Sequence, residues 1–491
     1  MKSRKNKKIN IPLSKILIIL FIFFVIRHFV VSAGNEKNVE TSEESAQVSN
    51  EQQSVKKEGG IFTPRSSRIT QAELIRLLEQ FPPNLTQDRD TVRWQRSEII
   101  RYFSIDTTLQ KRTQRLIDRS RARYGASVAI NPQTGQILAM VTRTDPELPQ
   151  IAPNLALSSK FLAASIAKTV TAQAAFENMD VNTLSSFRFT GRGTTLFRNQ
   201  FLPLEFGERA NSVTFAEAYA RSVNPVFGWM AVHHIGRANL LNAAERFGWN
   251  TSIPFEMPVD VSFFPRTAPD NLSPVEDSIN VAMLGSGFYR QTTLSPILGA
   301  LIMASILNNG VMMAPTLVDS IVEKSSQRRI FTANSRKWRQ TTESDIADSL
   351  LLLKQQTPRF TARSAFRQAR RTFFSGASGE SVVSGGKTGT LTSDLGRNEW
   401  FVGFAKDTLR NISLATSVVL VQPNVWHLRP SQVSSDIMYE YVRRKQRIIN
   451  RETQSEAEAK AQAQAEASAG KLTGEDSGEI YEPAEEMYDD I

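Results

Sequence analysis

The chain contains no cysteine. That absence excludes disulfides, cysteine nucleophiles and thiolate metal sites, while leaving the redox compartment open. Histidine is scarce. Its four copies, His28, His233, His234 and His427, are too few and too scattered to suggest a metal cluster, so no metal or other cofactor is expected. A Gly-x-Ser-x-Gly elbow is missing, which leaves a Ser-His-Asp hydrolase without its nucleophile turn. What is present is ample: 491 residues, 41% hydrophobic and 22% charged, enough for two or three domains with a sizeable core. The net charge of +10 fits an anionic partner such as nucleic acid, anionic lipid or wall polymer, and solubility accounts for it equally well.

The start of the chain sets the compartment. Residues 1–11, with "MKSRKNKK", form a basic stub expected to stay cytoplasmic. Residues 12–33 are long and apolar enough to span a bilayer, with Lys15 and Arg27 near the ends, where their amines can snorkel. The rival reading is a cleaved signal peptide with its cut after Ala33, but Arg27 and His28 fit poorly between such a core and its cleavage site. An uncleaved anchor is favoured. Either way the body works on the extracytoplasmic side of the cell membrane, and nucleic acid drops out as a partner.

Residues 34–60, rich in Glu, Gln, Ser and Lys, read as a disordered tether. Residues 61–96 read as a short helical linker region. Its helix is announced by a Thr70–Glu73 capping box, with Ile69 and Leu74 placed as a staple, and is stopped by Pro82 and Pro83. Residues 97–450 form the globular block, and 451–491 read as a fraying helix running into a disordered acidic tail. Within the block, "TTLQKRTQRLIDRSRARYG" is a basic amphipathic helix and "ASVAINPQTGQILAMV" a hairpin. A mostly helical stretch then runs to about Phe374, including "LSPILGALIMASILNNG", apolar nearly all round and so expected to be buried. Three further strands follow in "GGKTGTLTS", "EWFVGFA" and "ISLATSVVLV", and a last helix starts near Ser431. Two early strands and three late ones predict an α+β fold. Its five-stranded antiparallel sheet would carry the terminal helices on one face and a large helical insert on the other.

Three polar constellations stand out. In "FLAASIAKTV", Ser165 and Lys168 are three residues apart on a helix and so share a face. A lysine among Ala, Ile, Leu and Phe loses hydration, which lowers its pKa toward the neutral base. The pair reads either as a nucleophile beside its base or as a helix with a snorkelling lysine. In "FAEAYARSVNPVF", Ser222 and Asn224 sit in a turn between a helix opened by a Thr214–Glu217 capping box and one with Pro225 in its first turn. In "SGGKTGTLTS", Lys387, Thr388, Gly389 and Thr390 open an edge strand. They offer a cation and hydroxyls to an anionic group, with a glycine that leaves room for a ligand. A phosphate-binding loop is excluded by Ser381 where that motif needs glycine, and by the strands that follow.

Ser-x-x-Lys, Ser-x-Asn and Lys-Thr-Gly-Thr in this order resemble the transpeptidase domain of the high-molecular-mass penicillin-binding proteins, in the serine DD-peptidase and β-lactamase-like superfamily. "SIDTTLQKRTQRLI", "VAINPQTGQILAMVTR", "LSPILGALIMASILNNGVMMAPTLV", "TARSAF" and "WFVGFA" extend the likeness over about Phe103 to Lys445. The resemblance implies that Ser165 is acylated by the D-Ala-D-Ala end of a peptidoglycan stem peptide, with Lys168 taking its proton. It further implies that Ser222 relays a proton to the leaving amine and Asn224 holds the substrate amide. Lys387 and Thr388 would orient the terminal carboxylate, with Gly389 beside them, and the N–H groups of Ser165 and Thr390 would form the oxyanion hole. The implied partners are stem peptides, β-lactams as covalent mimics, the membrane through the N-terminal helix, and other cell-wall synthesis proteins.

Some features depart from the family. No glycosyltransferase domain fits between the anchor and the block, and the pedestal of the monofunctional class is too short to be complete. Arg359, Arg363, Arg367 and Arg371 would make a basic stripe if helical, read as a solvated face ahead of a wall- or lipid-binding one. The rival readings are a DD-carboxypeptidase or β-lactamase of the same fold, in which water replaces the acceptor amine, and a β-lactam sensor or scaffold without activity.

Overall fold

The computed structural model describes residues 68–374, 379–422 and 428–472. The basic stub, the anchor and the tether lie outside these residues, as does the tail beyond Leu472. No helix among the described residues is long and apolar enough to cross a membrane.

Helix α1 (Gln71–Gln80) opens with the expected capping box: the Thr70 hydroxyl accepts from Glu73 N–H while Glu73 accepts from Thr70 N–H. The linker region is more than helical, however. Strands β1 (Arg89–Trp94) and β2 (Ser97–Phe103) form a hairpin across its boundary at residue 97, turning through Gln95 in the left-handed region at φ 56°. Half-buried residues alternate with exposed ones along β1, the period-2 signal of a strand covered on one face. Arg101 on β2 is wholly buried. It donates to both carboxylate oxygens of Asp90, at 2.8 and 2.7 Å, and to Phe81 O at 2.6 Å.

Helix α2 (Thr107–Arg119) leads into β3 (Tyr124–Ile130) and β4 (Ile137–Thr144), the expected first hairpin. A short helical turn, Ala164–Ala167, continues as α3 (Lys168–Asn178), and α4 (Phe215–Ala220) and α5 (Asn224–Met230) flank the Ser222 turn. Next come α6 (Pro274–Ser286) and α7 (Pro296–Leu307). The insert is less purely helical than its sequence suggests. Strands β5 (Val318–Glu323) and β6 (Arg329–Thr332) extend the β1–β2 hairpin into a four-stranded sheet of order β1-β2-β5-β6, and several two-stranded ladders punctuate the helices. Helices α8 (Ser344–Gln355) and α9 (Arg363–Phe373) close the insert. Of the basic stripe, Arg363, Arg367 and Arg371 lie on α9, whereas Arg359 belongs to the preceding 3-10 turn.

The late strands β7 (Val382–Ser393), β8 (Gly396–Asp407) and β9 (Ile412–Gln422) join the early hairpin in a five-stranded antiparallel sheet of order β7-β8-β9-β3-β4. The central strand β9 is buried throughout, one face turned to the last helix and the other to the insert. Leu414 packs with Ile437 and Met438, and Val418 and Leu420 with Val433, all on α10 (Pro430–Leu472). Ala415, Val419 and Val421 turn to the insert, where every residue of α7 is buried as its all-round apolarity requires. Each such aliphatic side chain contributes about 1.5–3 kcal/mol by leaving water. Terminal helices on one face and the insert on the other match the expected layering. Helix α10 does not end near Asn450. It continues to Leu472, with residues 451–466 exposed, so the helix read at the head of the tail is present as a solvated one built from Glu, Gln, Ala and Lys.

Candidate active site

Ser165 sits in the turn that opens α3, partly accessible, beside Ala164 in the left-handed region at φ 50°. A non-glycine residue there is strained, and the neighbouring packing holds it. Gly287, past the end of α6, lets that packing form: with φ at 76°, a Cβ there would come 2.3 Å from Ala164 O. Strand β7 approaches from the other side. A Cβ on Gly389 would press to 3.3 Å on Ala164 and 3.4 Å on Ser165 N, so this glycine makes room for the serine turn as well as for a ligand.

Lys168, one turn on, is fully buried. Its Nζ lies 2.9 Å from Ser165 Oγ and 2.7 Å from Asn224 Oδ1, and also meets Ser286 O. Burial, reinforced by the charge of Lys387, holds its pKa well below that of an ordinary lysine. A neutral amine at hydrogen-bond distance from a hydroxyl can take its proton. The snorkelling alternative therefore fails, because this lysine points inward.

The Ser222 turn is built by main-chain bonds. Ser222 N–H donates to Tyr219 O and Val223 N–H to Ala218 O, and Ser222 adopts φ 58°. Asn224 opens α5 with its amide fixed at both ends, Oδ1 on Lys168 and Nδ2 donating to Thr194 O at 2.9 Å. Lys387, also fully buried, donates to Ser222 Oγ at 3.0 Å and Thr388 O at 2.8 Å. Burial pushes its pKa down to about 7. The Lys-Thr-Gly run lies midway along an edge strand that starts at Val382, five residues earlier than its sequence suggests. Thr388 Oγ1 donates to Thr361 Oγ1 at 3.1 Å, and Thr390 is exposed at the rim.

Six of the eight singled-out residues, Ser165, Ser222, Asn224, Thr388, Gly389 and Thr390, line one cleft of about 290 Å³. Lys168 and Lys387 form its buried floor. The chain from Gly125 to Tyr441 matches the family described as the penicillin binding protein transpeptidase domain. The protein belongs to that family.

Among its relatives is the peptidoglycan D,D-transpeptidase PbpA of Mycolicibacterium smegmatis, 28% identical over 226 residues, covering 40% of this chain and 43% of the relative. Stage V sporulation protein D of Bacillus subtilis is 24% identical over 306 residues, covering 59% of this chain and 43% of that one. The chain thus spans under half the length of these curated relatives. The D,D-transpeptidase domain of the Eggerthella lenta peptidoglycan glycosyltransferase shares the fold, with a TM-score of 0.54 at 23% identity over 69% of this chain and 81% of that structure. So does PBPA of Mycobacterium tuberculosis, with a TM-score of 0.53 at 20% identity over the same shares.

Sequence reasoning missed several neighbours: Ser286, which contributes a carbonyl to Lys168, Thr361 opposite Thr388, and Arg221 and Phe288 at the cleft wall. Arg221 and Thr361 stand inside the quoted stretches "FAEAYARSVNPVF" and "TARSAF" without being singled out, Ser286 and Phe288 lie outside every quoted motif, and a backbone carbonyl has no side-chain signature.

Proposed function

We propose that this protein is a serine D,D-transpeptidase that cross-links peptidoglycan stem peptides, and that β-lactams acylate the same serine. The observation that carries the reading is the 2.9 Å contact between Ser165 Oγ and the buried Nζ of Lys168, an amine that no carboxylate among the described residues pairs with. The name of the mycobacterial relative supports the reaction class.

In this mechanism Ser165 Oγ attacks the carbonyl of the penultimate D-Ala, and its proton passes to Lys168 Nζ. The N–H groups of Ser165 and Thr390 stabilise the oxyanion. As the tetrahedral centre collapses, the C–N bond to the terminal D-Ala breaks, and the proton that Lys168 took from Ser165 is passed on by way of the Ser222 hydroxyl, bonded to Lys387, to the departing amine, which leaves Ser222 protonated and Lys168 neutral again. Lys387 and Thr388 hold the terminal carboxylate, and Asn224 holds the substrate amide with the Nδ2 hydrogen that Thr194 leaves free. An amine from a neighbouring strand then attacks the acyl-serine, with Lys168 as base, releasing Ser165 and forming the cross-link. Residues 12–33 serve as the membrane anchor, and the catalytic body faces the extracytoplasmic side.

Covalent labelling by a fluorescent penicillin, with Ser165→Ala alongside, tests this. The wild type is expected to label and the variant not. A folded wild type that stays unlabelled would sink the reading. The lifetime of the label separates a slow transpeptidase from a hydrolase that sheds it within seconds.

A further inference from the structure

Behind the cleft lies a third buried lysine that the mechanism above does not use. Lys354, in the last turn of α8, is 1% exposed, and its Nζ reaches hydroxyls alone: Tyr219 at 2.7 Å and Thr169 at 3.1 Å, themselves 2.9 Å apart. These bonds tie three elements together. Thr169 follows Lys168 on α3, Tyr219 stands on α4 with its carbonyl receiving the Ser222 N–H, and Lys354 comes from α8. Both amines lie against the Tyr219 ring, Lys354 Nζ 5.3 Å and Lys387 Nζ 5.6 Å from its centre, with Lys354 also bonded to its hydroxyl.

A buried ammonium normally needs a carboxylate. The elements packed against α8 do not supply a free one. Helix α3 brings Lys168 and Glu177, the latter held by Arg246. Helix α4 brings Tyr219 and Glu217, the latter closing its own cap. Strand β7 brings Lys387, the turn before α9 brings Arg359, and α7 carries no titratable group. Asp345 and Asp348 on α8 itself are exposed. Among the described residues, no carboxylate pairs with Lys168, Lys354 or Lys387.

We propose that Lys354 is a positioning residue that shares charge with Lys387, so that the cation available to a substrate carboxylate is governed by a residue that never touches substrate. The inference rests on the transpeptidase reading for the role of Lys387. Burial brings both amines down to about 7, and the charge of Lys387 adds to the shift at Lys354. Two ammonium groups in one poorly hydrated site oppose each other, and their protons are lost as a coupled pair. Removing the amine at 354 removes that repulsion, so Lys387 keeps its proton to higher pH.

The experiment is the pH profile of acylation by a carboxylate-bearing penicillin, measured on the full chain for the wild type, Lys354→Met and Lys354→Gln. In both variants the alkaline limb is expected to move up by about half a unit or more. At pH 8.5 each would then keep about threefold more of its own maximal rate than the wild type does. A limb at the unshifted pH in both variants, whatever the height of the profile, overturns the proposal and leaves Lys354 a packing residue. The Gln variant keeps a neutral N–H donor on the side of Tyr219 and Thr169, which guards against a folding failure of the Met variant. Lysine side-chain NMR of the unaltered protein gives a reading independent of any variant: a two-step titration of Lys387 supports the coupling, and a single step overturns it. A wild type that takes up no penicillin at any pH would count against the transpeptidase reading instead, and the NMR titration would still decide the coupling.

Discussion

Two regions of this molecule bury cations and treat them in opposite ways. In the four-stranded sheet, Arg101 is wholly buried and grips both oxygens of Asp90, so the charge is kept and neutralised. Around the cleft, Lys168, Lys354 and Lys387 are equally buried, but hydroxyls, an amide and carbonyls surround them. There the protonated form is disfavoured. Guanidinium in a planar fork with a carboxylate builds structure. A desolvated amine with neutral partners builds a base.

Breaking each arrangement should have different consequences. The largest effect is expected for Lys168→Met, which should slow penicillin acylation about a thousandfold, as loss of a general base does, while the thermal midpoint holds or rises. Stopped-flow labelling with parallel calorimetry checks both halves. Asp90→Ala should do the reverse. Stranding Arg101 without its partner should cost about 3 kcal/mol of stability in urea unfolding, with acylation at 25 °C unchanged. Loss of acylation in a folded Asp90→Ala protein would dissolve the distinction between the two regions.

The lysines also predict a pH dependence of stability. Lys354 and Lys387 are held near 7 in the folded chain against 10.5 for an ordinary lysine. Between those values the unfolded chain binds more protons, so stability should rise with pH from about 7 toward 10. A thermal midpoint several degrees higher at pH 9 than at pH 7 is expected, roughly, and the slope should flatten in Lys354→Met. A falling midpoint over that window would contradict the burial argument. The smallest effect sharpens the comparison. The same capping box opens a helix in each region, at Thr70 and at Thr214. Either alanine variant should lose about 1 kcal/mol. Only Thr214→Ala, whose helix carries the Ser222 turn, should also slow acylation, by a few-fold.

Legibility divides along similar lines. Both capping boxes, the early hairpin, the buried helix α7 and the five strands of the main sheet were readable because each rests on local periodicity or on turn chemistry. The β1–β2 hairpin was passed over, although β1 alternates as a strand should, because its charged residues masked the half-buried Val92 and Trp94. Nothing local marks Arg101 for burial: its carboxylate partner Asp90 lies on the paired strand. Nor does anything local mark Lys354, whose hydroxyl partners Thr169 and Tyr219 come from two other helices.

By itself the sequence determined the order of elements and the three motifs, because an i, i+3 pair, a helix-flanked turn and a short strand are set by neighbours along the chain. Which ionisable groups leave water, and what they meet there, was decided only when α3, α4, α8 and β7 closed around Tyr219. The charge state of a lysine depends on hydration and on partners dozens to hundreds of residues away, and neither is a property of the local chain.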